Sequence, residues 1–269
     1  MKKPSILKGA ERQGSEMTLA DHLRELRYRL LVCMGAVVIL MIPAWFLYPT
    51  LLSVLNKPYC DALIKIQETG KCEFLATNLL DTFGLRLKVA GYGGAFLAMP
   101  IILWQVWRFI APGLYKKERR YALGFTISSM FLFSLGAFIA YVTLNQATQF
   151  LVSVAGAQID VRSGPTEFVK LAMFMMLAFG VGFLFPIVLV VLMMMGVVTP
   201  KKLGQWRRQI IMIIVIVAAV ITPSGDPISL AALSIPMYIF FEISLIIGRV
   251  FNRRKGRTGR DEDDDEDDG

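Results

Sequence analysis

The sequence predicts an all-α, polytopic integral membrane protein with six transmembrane helices, and three observations carry that prediction. Hydrophobic residues make up 55% of the 269-residue chain, with 14 Met and 18 Phe, too apolar a composition for a water-soluble domain of this length. Several apolar runs between charge clusters approach or exceed the roughly 18 to 20 residues a helix needs to cross a hydrocarbon layer of about 30 Å. None of these runs alternates with the two-residue period of a barrel strand.

Residues 1–16 form a polar, flexible tail. Residues 1–29 are polar and lack the apolar segment of a secretory signal, so the first span is expected to stay as an uncleaved anchor. Thr18 and Asp21 have capping-box spacing, and Leu19, Leu23, Leu26 and Leu30 then recur on one side of an amphipathic helix that runs into the first span, 30–48. Its polar side carries Arg24, Glu25, Arg27 and Arg29, with Glu25 and Arg29 spaced to pair at i, i+4. Spacing alone favours an interfacial collar that binds anionic membrane lipid.

Residues 49–84 form a longer loop, apolar enough to hold short helices of its own. The remaining spans are placed at 87–110, 121–145, 168–195, 209–222 and 228–248, with turn chemistry between them at Pro112–Arg120, Gly164–Glu167 and Gly196–Arg208. The fifth span is short, about 20 Å at 1.5 Å per residue. Either it thins the bilayer locally or it packs as a hairpin inside the bundle, and both readings stand. The membrane domain is taken as 17–250. Beyond it, 251–269 reads as a disordered tail, basic and then acidic, ending in the eight consecutive acids Asp261–Asp268.

Basic residues are retained on the cytoplasmic side of a membrane. Of the 29 Lys and Arg, the N-terminal stretch holds seven, Arg108–Arg120 five, Lys201–Arg208 four and the C-terminal stretch six, leaving seven for the opposite side. Both termini are therefore expected in the cytoplasm. Cys60 and Cys72 then lie in an outside loop, where they either form a bridge or remain free thiols, while Cys33 is a small packing residue in the first span.

The stretch "PGLYKKERRY" at 112–121 concentrates four cations and one acid. Glu118 adds nothing to membrane retention and weakens attraction for anionic headgroups. It either pairs internally with a neighbouring cation, or it joins Glu25 in presenting two carboxylates to a cationic ligand. Arginine suits such a site, because its planar fork takes a carboxylate bidentately while aromatics such as Phe109 and Tyr115 cover its stem. Enzyme classes lose their usual signatures: the chain has no P-loop, no G-x-S-x-G, and a single histidine, His22.

"HLRELRYRLL" (22–31), "QVWRFIAPGLYKKERR" (105–120), "FGVGFLFPIVLVVLMMMGVVTPKKL" (179–203), "ITPSGDPIS" (221–229) and "IPMYIFFEIS" (235–244) resemble, in order and spacing, the TatC family of the twin-arginine translocation system. The resemblance covers nearly all of 17–250. It implies a cup-shaped six-helix protein of the cell membrane that binds twin-arginine signal peptides of folded cargo at the cytoplasmic face. It implies assembly with single-span TatA- and TatB-type partners and further copies of the same chain, driven by the proton-motive force, with no cofactor and no nucleic acid. The family's peptide-contacting acids fall on Glu25 and Glu118, supported by Phe109 and Arg27, with Tyr115, Arg119 and Arg120 in the same motifs.

Pro58 matches a loop proline of the family and suits fixing loop shape better than binding; Pro112 opens the charged turn. Where many members carry a polar residue in the fourth span, this chain has Leu184, which puts polar docking of a partner helix there in doubt. Glu242, an acid inside the last span, is either functional or a structural carboxyl bonded to Ser244 or a neighbouring helix. Asp226 is placed to cap the last helix, and the resemblance adds a part in partner assembly. Two other classes remain open: a small-molecule transporter, which would show repeated halves and midplane charges, and a scaffold for lipid or partner helices.

Overall fold

A computed structural model describes residues 19–67, 79–110, 122–155, 165–222 and 226–264, and these are helical but for short joints. In chain order the helices are α1 (Leu19–Phe46), α2 (Tyr48–Gln67), α3 (Leu79–Ile110), α4 (Ala122–Ala155), α5 (Pro165–Gly182), α6 (Phe185–Met194), α7 (Pro200–Gln205), α8 (Arg207–Ile221) and α9 (Pro227–Asp264). Among the described residues, five stretches are long and apolar enough to cross a membrane: His22–Phe46, Leu80–Ile110, Leu123–Phe150, Glu167–Met194 and Pro227–Val250. The 15-residue α8 completes the six-helix arrangement.

Helices overrun the predicted spans at several ends. The third begins at Leu79 and the fourth runs to Ala155. Hydropathy reports only the part of a helix that sits in hydrocarbon, whereas a nucleated helix adds residues cheaply beyond it. For the same reason α9 continues to Asp264, through residues expected to belong to a disordered tail.

The loop expected at 49–84 contains α2, joined to α1 through the single residue Leu47. Helical bonding nearly continues across that joint, from Leu47 N to Pro43 O and from Leu51 N to Leu47 O, both 3.0 Å. Pro58 is therefore a buried residue inside a helix rather than in a loop. A helical proline has no N–H for the carbonyl four residues back, here Val54. Tyr141 of α4 supplies the missing donor: its hydroxyl donates to Val54 O at 3.0 Å.

Between membrane helices, small residues permit close backbone approach. A Cβ built on Gly94 of α3 would stand 2.8 Å from the Met41 backbone of α1. One on Gly136 of α4 would stand 2.7 Å from Phe179 O of α5. The centre of the bundle is filled by Leu144, Met175, Phe179, Phe183, Ile214, Leu233, Phe241 and Leu245, all but fully buried. Helix α1 is the least enclosed, with Ala44 its one buried residue among those described.

The fourth span is two helices. Phe183 and Leu184 form a turn ahead of Pro186, whose ring cannot continue α5. Leu184 packs, partly buried, against the cluster of Leu103, Trp107, Phe133, Ile187 and Val191. After α6 the left-handed Gly196 (φ +76°) lets Val197 N reach back to Leu192 O at 3.1 Å, a glycine-type helix stop. Thr199 caps α7, accepting from Lys202 N at 3.4 Å. Asp226 caps α9: its buried carboxylate accepts from Ser229 N at 2.6 Å.

Candidate functional site

Chain direction places the start of α1, the end of α3, the start of α4, α7, the start of α8 and the later part of α9 at one end of the bundle. There α1 and α3 run antiparallel and lay two short rows of side chains together. On α1 the row is His22, Glu25 and Arg29, spaced three and four residues apart and so on one helix face. On α3 it is Gln105 and Phe109, again four apart.

The contacts between these rows are specific. The His22 and Phe109 rings stack with centroids 4.4 Å apart and planes inclined by 23°. Arg29 donates through Nη1 to Gln105 Oε1 at 3.2 Å. Its Nε donates to Glu25 Oε1 at 3.1 Å, and its Nη2 donates to the same oxygen. The guanidinium thus spends three donors holding one carboxylate and one amide, and Glu25 Oε2 has no hydrogen bond among the described residues. The Arg29 side chain is 12% exposed and that of Glu25 24%. Glu25 is accordingly held in one orientation through Oε1 alone.

Directly beneath, Trp107 anchors α3 to α4. Its Nε1 donates to Ser129 Oγ at 2.8 Å, and its ring stacks on Phe125 with centroids 5.3 Å apart. These contacts fix where the chain leaves α3 at Ile110. Pro112, Tyr115, Glu118, Arg119 and Arg120 lie outside the described residues, as do Thr18 and the side chain of Asp21. Arg27 is exposed, and lies about 200° round α1 from Glu25 at 100° per residue, so the two do not converge.

The sequence reading had paired Glu25 with Arg29, and that contact is present. It missed Gln105 and the stacking role of His22. The signal was available in the i, i+4 spacing of Gln105 and Phe109, but nothing in one sequence says which face of α3 meets which face of α1.

A second charged cluster joins α8 to α9 at the same end. Arg207 Nη2 lies 2.7 Å from Glu242 Oε2, and Tyr238 donates its hydroxyl to Glu242 Oε1 at 3.0 Å. Ser244, proposed from sequence as a partner of Glu242, instead donates to Phe240 O at 2.8 Å and to Pro186 O at 3.1 Å. A short serine on a helix reaches its own preceding turn more readily than an acid two residues away. Cys60 is disulfide-bonded and Cys33 is a free thiol; Cys72 lies outside the described residues.

The family model described as "Sec-independent protein translocase protein (TatC)" matches residues 21–236. The Sec-independent protein translocase protein TatC of Frankia casuarinae is 36% identical over 266 residues, 94% of this chain and 73% of that protein. That of Escherichia coli K12 is 34% identical over 241 residues, 89% of this chain and 91% of that protein. A crystal structure of the twin arginine translocase receptor TatC in DDM matches with TM-score 0.69 and 32% identity, covering 84% of this chain and 99% of that one. A second crystal structure of the receptor gives TM-score 0.68 at 31% identity, covering 85% and 98%. Sequence and fold therefore agree over most of the molecule: the chain belongs to the TatC family of Sec-independent protein translocase proteins, multi-pass membrane components of the Tat pathway.

Proposed function

We propose that this protein is the receptor subunit of its translocase, binding twin-arginine signal peptides of folded cargo at the cytoplasmic face through Glu25 and Glu118. The observation that carries the reading is the state of Glu25. Arg29, itself held by Gln105, binds Glu25 Oε1 on the helix face where His22 stacks on Phe109, and Oε2 remains open to an incoming guanidinium. A charge-assisted bond from a peptide arginine to that oxygen needs no rearrangement of the pair already formed, and preorganisation of this kind lowers the cost of binding.

Glu118 would take the second arginine from the loop that leaves α3 next to this face, with Tyr115 and Phe109 covering the arginine stems. Arg27, Arg119 and Arg120 would set the loop and exclude unrelated cationic segments. Both termini and the 111–121 loop are assigned to the cytoplasm because the basic residues gather there. Assembly with TatA- and TatB-type single-span partners and with further copies, driven by the proton-motive force, belongs to the same proposal. Pro112, Asp226 and Glu242 would shape that assembly.

The test is photo-crosslinking of a twin-arginine peptide to probes placed at Leu26 and Arg108, on either side of the site. Crosslinks are expected that disappear when the peptide's arginines become lysines, since lysine cannot offer the planar fork. Crosslinks that survive this exchange would show that charge alone is read.

A further inference from the structure

At the opposite end of the bundle, Arg86 of α3 sits in a recess between α1, α2 and α3. It lies 22 residues before Arg108, or about 33 Å along the helix at 1.5 Å per residue, so the two arginines bracket one hydrocarbon thickness. The guanidinium carbon stands 4.5 Å from the centroid of Trp45 and 5.4 Å from that of Tyr48. Phe83 meets Trp45 edge-on at 6.1 Å. Aromatic rings of this kind gather at membrane interfaces, where one end of the ring is dry and the other wet.

The charge in this cage is poorly compensated. Arg86 carries five N–H donors, and its one hydrogen bond among the described residues is a long one, from Nη2 to Trp45 O at 3.5 Å. Nε is enclosed without any hydrogen-bond partner. No carboxylate lies within ion-pair distance among the described residues. A half-buried guanidinium at a bilayer boundary is costly without an anion, and the anion present there at high density is the phosphate of a phospholipid. The fork matches two phosphate oxygens, and the rings flanking it match the start of the acyl chains.

We propose that the Arg86–Trp45–Tyr48 recess is a binding site for the phosphate of one phospholipid in the leaflet away from the peptide-binding end. The lipid would bridge α3 to the α1–α2 corner and hold the Leu47 joint. The inference does not depend on the receptor reading, because the two sites lie at opposite ends of the bundle.

The experiment is native mass spectrometry of the full-length chain released from detergent, titrated with dioleoylphosphatidylglycerol. One lipid should be retained per chain. Arg86→Gln should weaken its retention about ten-fold or more, the loss of a bidentate charged contact. Arg86→Lys, which keeps the charge but not the fork, should fall between. Trp45→Leu leaves Arg86 in place and should also reduce retention, which keeps the test decisive if Arg86→Gln fails to fold. Lys88→Gln, an exposed residue elsewhere on α3, should behave as the parent. Dioleoylglycerol, which has no phosphate, should not be retained. The proposal is overturned if folded Arg86→Gln or Trp45→Leu holds the lipid as the parent does, or if dioleoylglycerol binds equally. It is also overturned if millimolar inorganic phosphate displaces the lipid, since the site would then take a free anion.

Discussion

Replacing Tyr141 by phenylalanine tests whether the proline inside α2 depends on a neighbouring helix. Pro58 has no N–H for Val54 O, and the Tyr141 hydroxyl donates to that oxygen at 3.0 Å. A typical intramolecular hydrogen bond contributes about 0.5–1.5 kcal/mol net, and this one lies at the protein surface, so the lower half, about 0.5–1 kcal/mol, applies. For a chain of this size that corresponds to a fall in Tm of roughly 1–4 °C. The sharper measurement is a double-mutant cycle with Pro58→Ala. Alanine restores an N–H four residues from Val54 O, so the hydroxyl becomes redundant and Tyr141→Phe should then cost close to nothing. The intrinsic effect of exchanging proline for alanine cancels in the cycle, leaving a coupling of about 0.5–1 kcal/mol. Thermal unfolding of the four proteins in one detergent, followed by tryptophan fluorescence, supplies the numbers. An equal loss from Tyr141→Phe in both backgrounds would refute the reasoning, because it would mean the hydroxyl acts on something other than the carbonyl that proline strands.

Glu25→Gln keeps the side-chain volume but removes the charge from a partly exposed carboxylate; twin-arginine peptide affinity should fall by about 1–2 kcal/mol, or roughly 5- to 30-fold, in fluorescence anisotropy. Glu118→Ala should cost about 2–5 kcal/mol in the same assay if the arginine pair is desolvated on binding, and an unchanged affinity for both variants would remove the two-carboxylate site. Asp226→Ala should destabilise the fold by about 1–2 kcal/mol through loss of the α9 cap, with Asp226→Asn recovering most of it; equal losses would assign the carboxylate to its charge instead of the cap. Gly94→Ala must push α1 and α3 apart, since the new Cβ would stand 2.8 Å from the Met41 backbone, and should cost about 1–3 kcal/mol. Gly91→Ala, with nothing within 4 Å, is the matched control and should be neutral or mildly stabilising in thermal unfolding.

Half of the site could be read directly. Glu25 and Arg29 are neighbours on any helix, because four residues bring them to the same face, so their pairing followed from the sequence. Gln105 and His22 were hidden for the opposite reason: each makes its contact across the α1–α3 interface, and the register of that interface is set by where Gly94 lets the backbones touch. The fate of Glu242 shows the same division. Its intramembrane position marked it for a partner, but the choice of Arg207 over Ser244 depends on α8 leaning against α9. Pro58 reads as a loop residue through its match to a loop proline of the family, whereas the structure puts it inside α2, where another helix donates to the carbonyl it strands.

Taken alone, the sequence determined the class, the order of the spans and the motifs of the family, because hydrocarbon thickness and the helical repeat impose rules that act along one chain. It also determined Asp226 as a cap, a contact made within three residues. The tertiary structure decided which faces meet. Only packing seats Leu184, at the break in the fourth span, against the cluster of Trp107 and Phe133, sets Glu25 with one oxygen bound and one open, and leaves Arg86 caged by rings from two other helices. Those outcomes depend on side chains distant in sequence competing for the same few ångströms, and no periodicity along the chain encodes who wins.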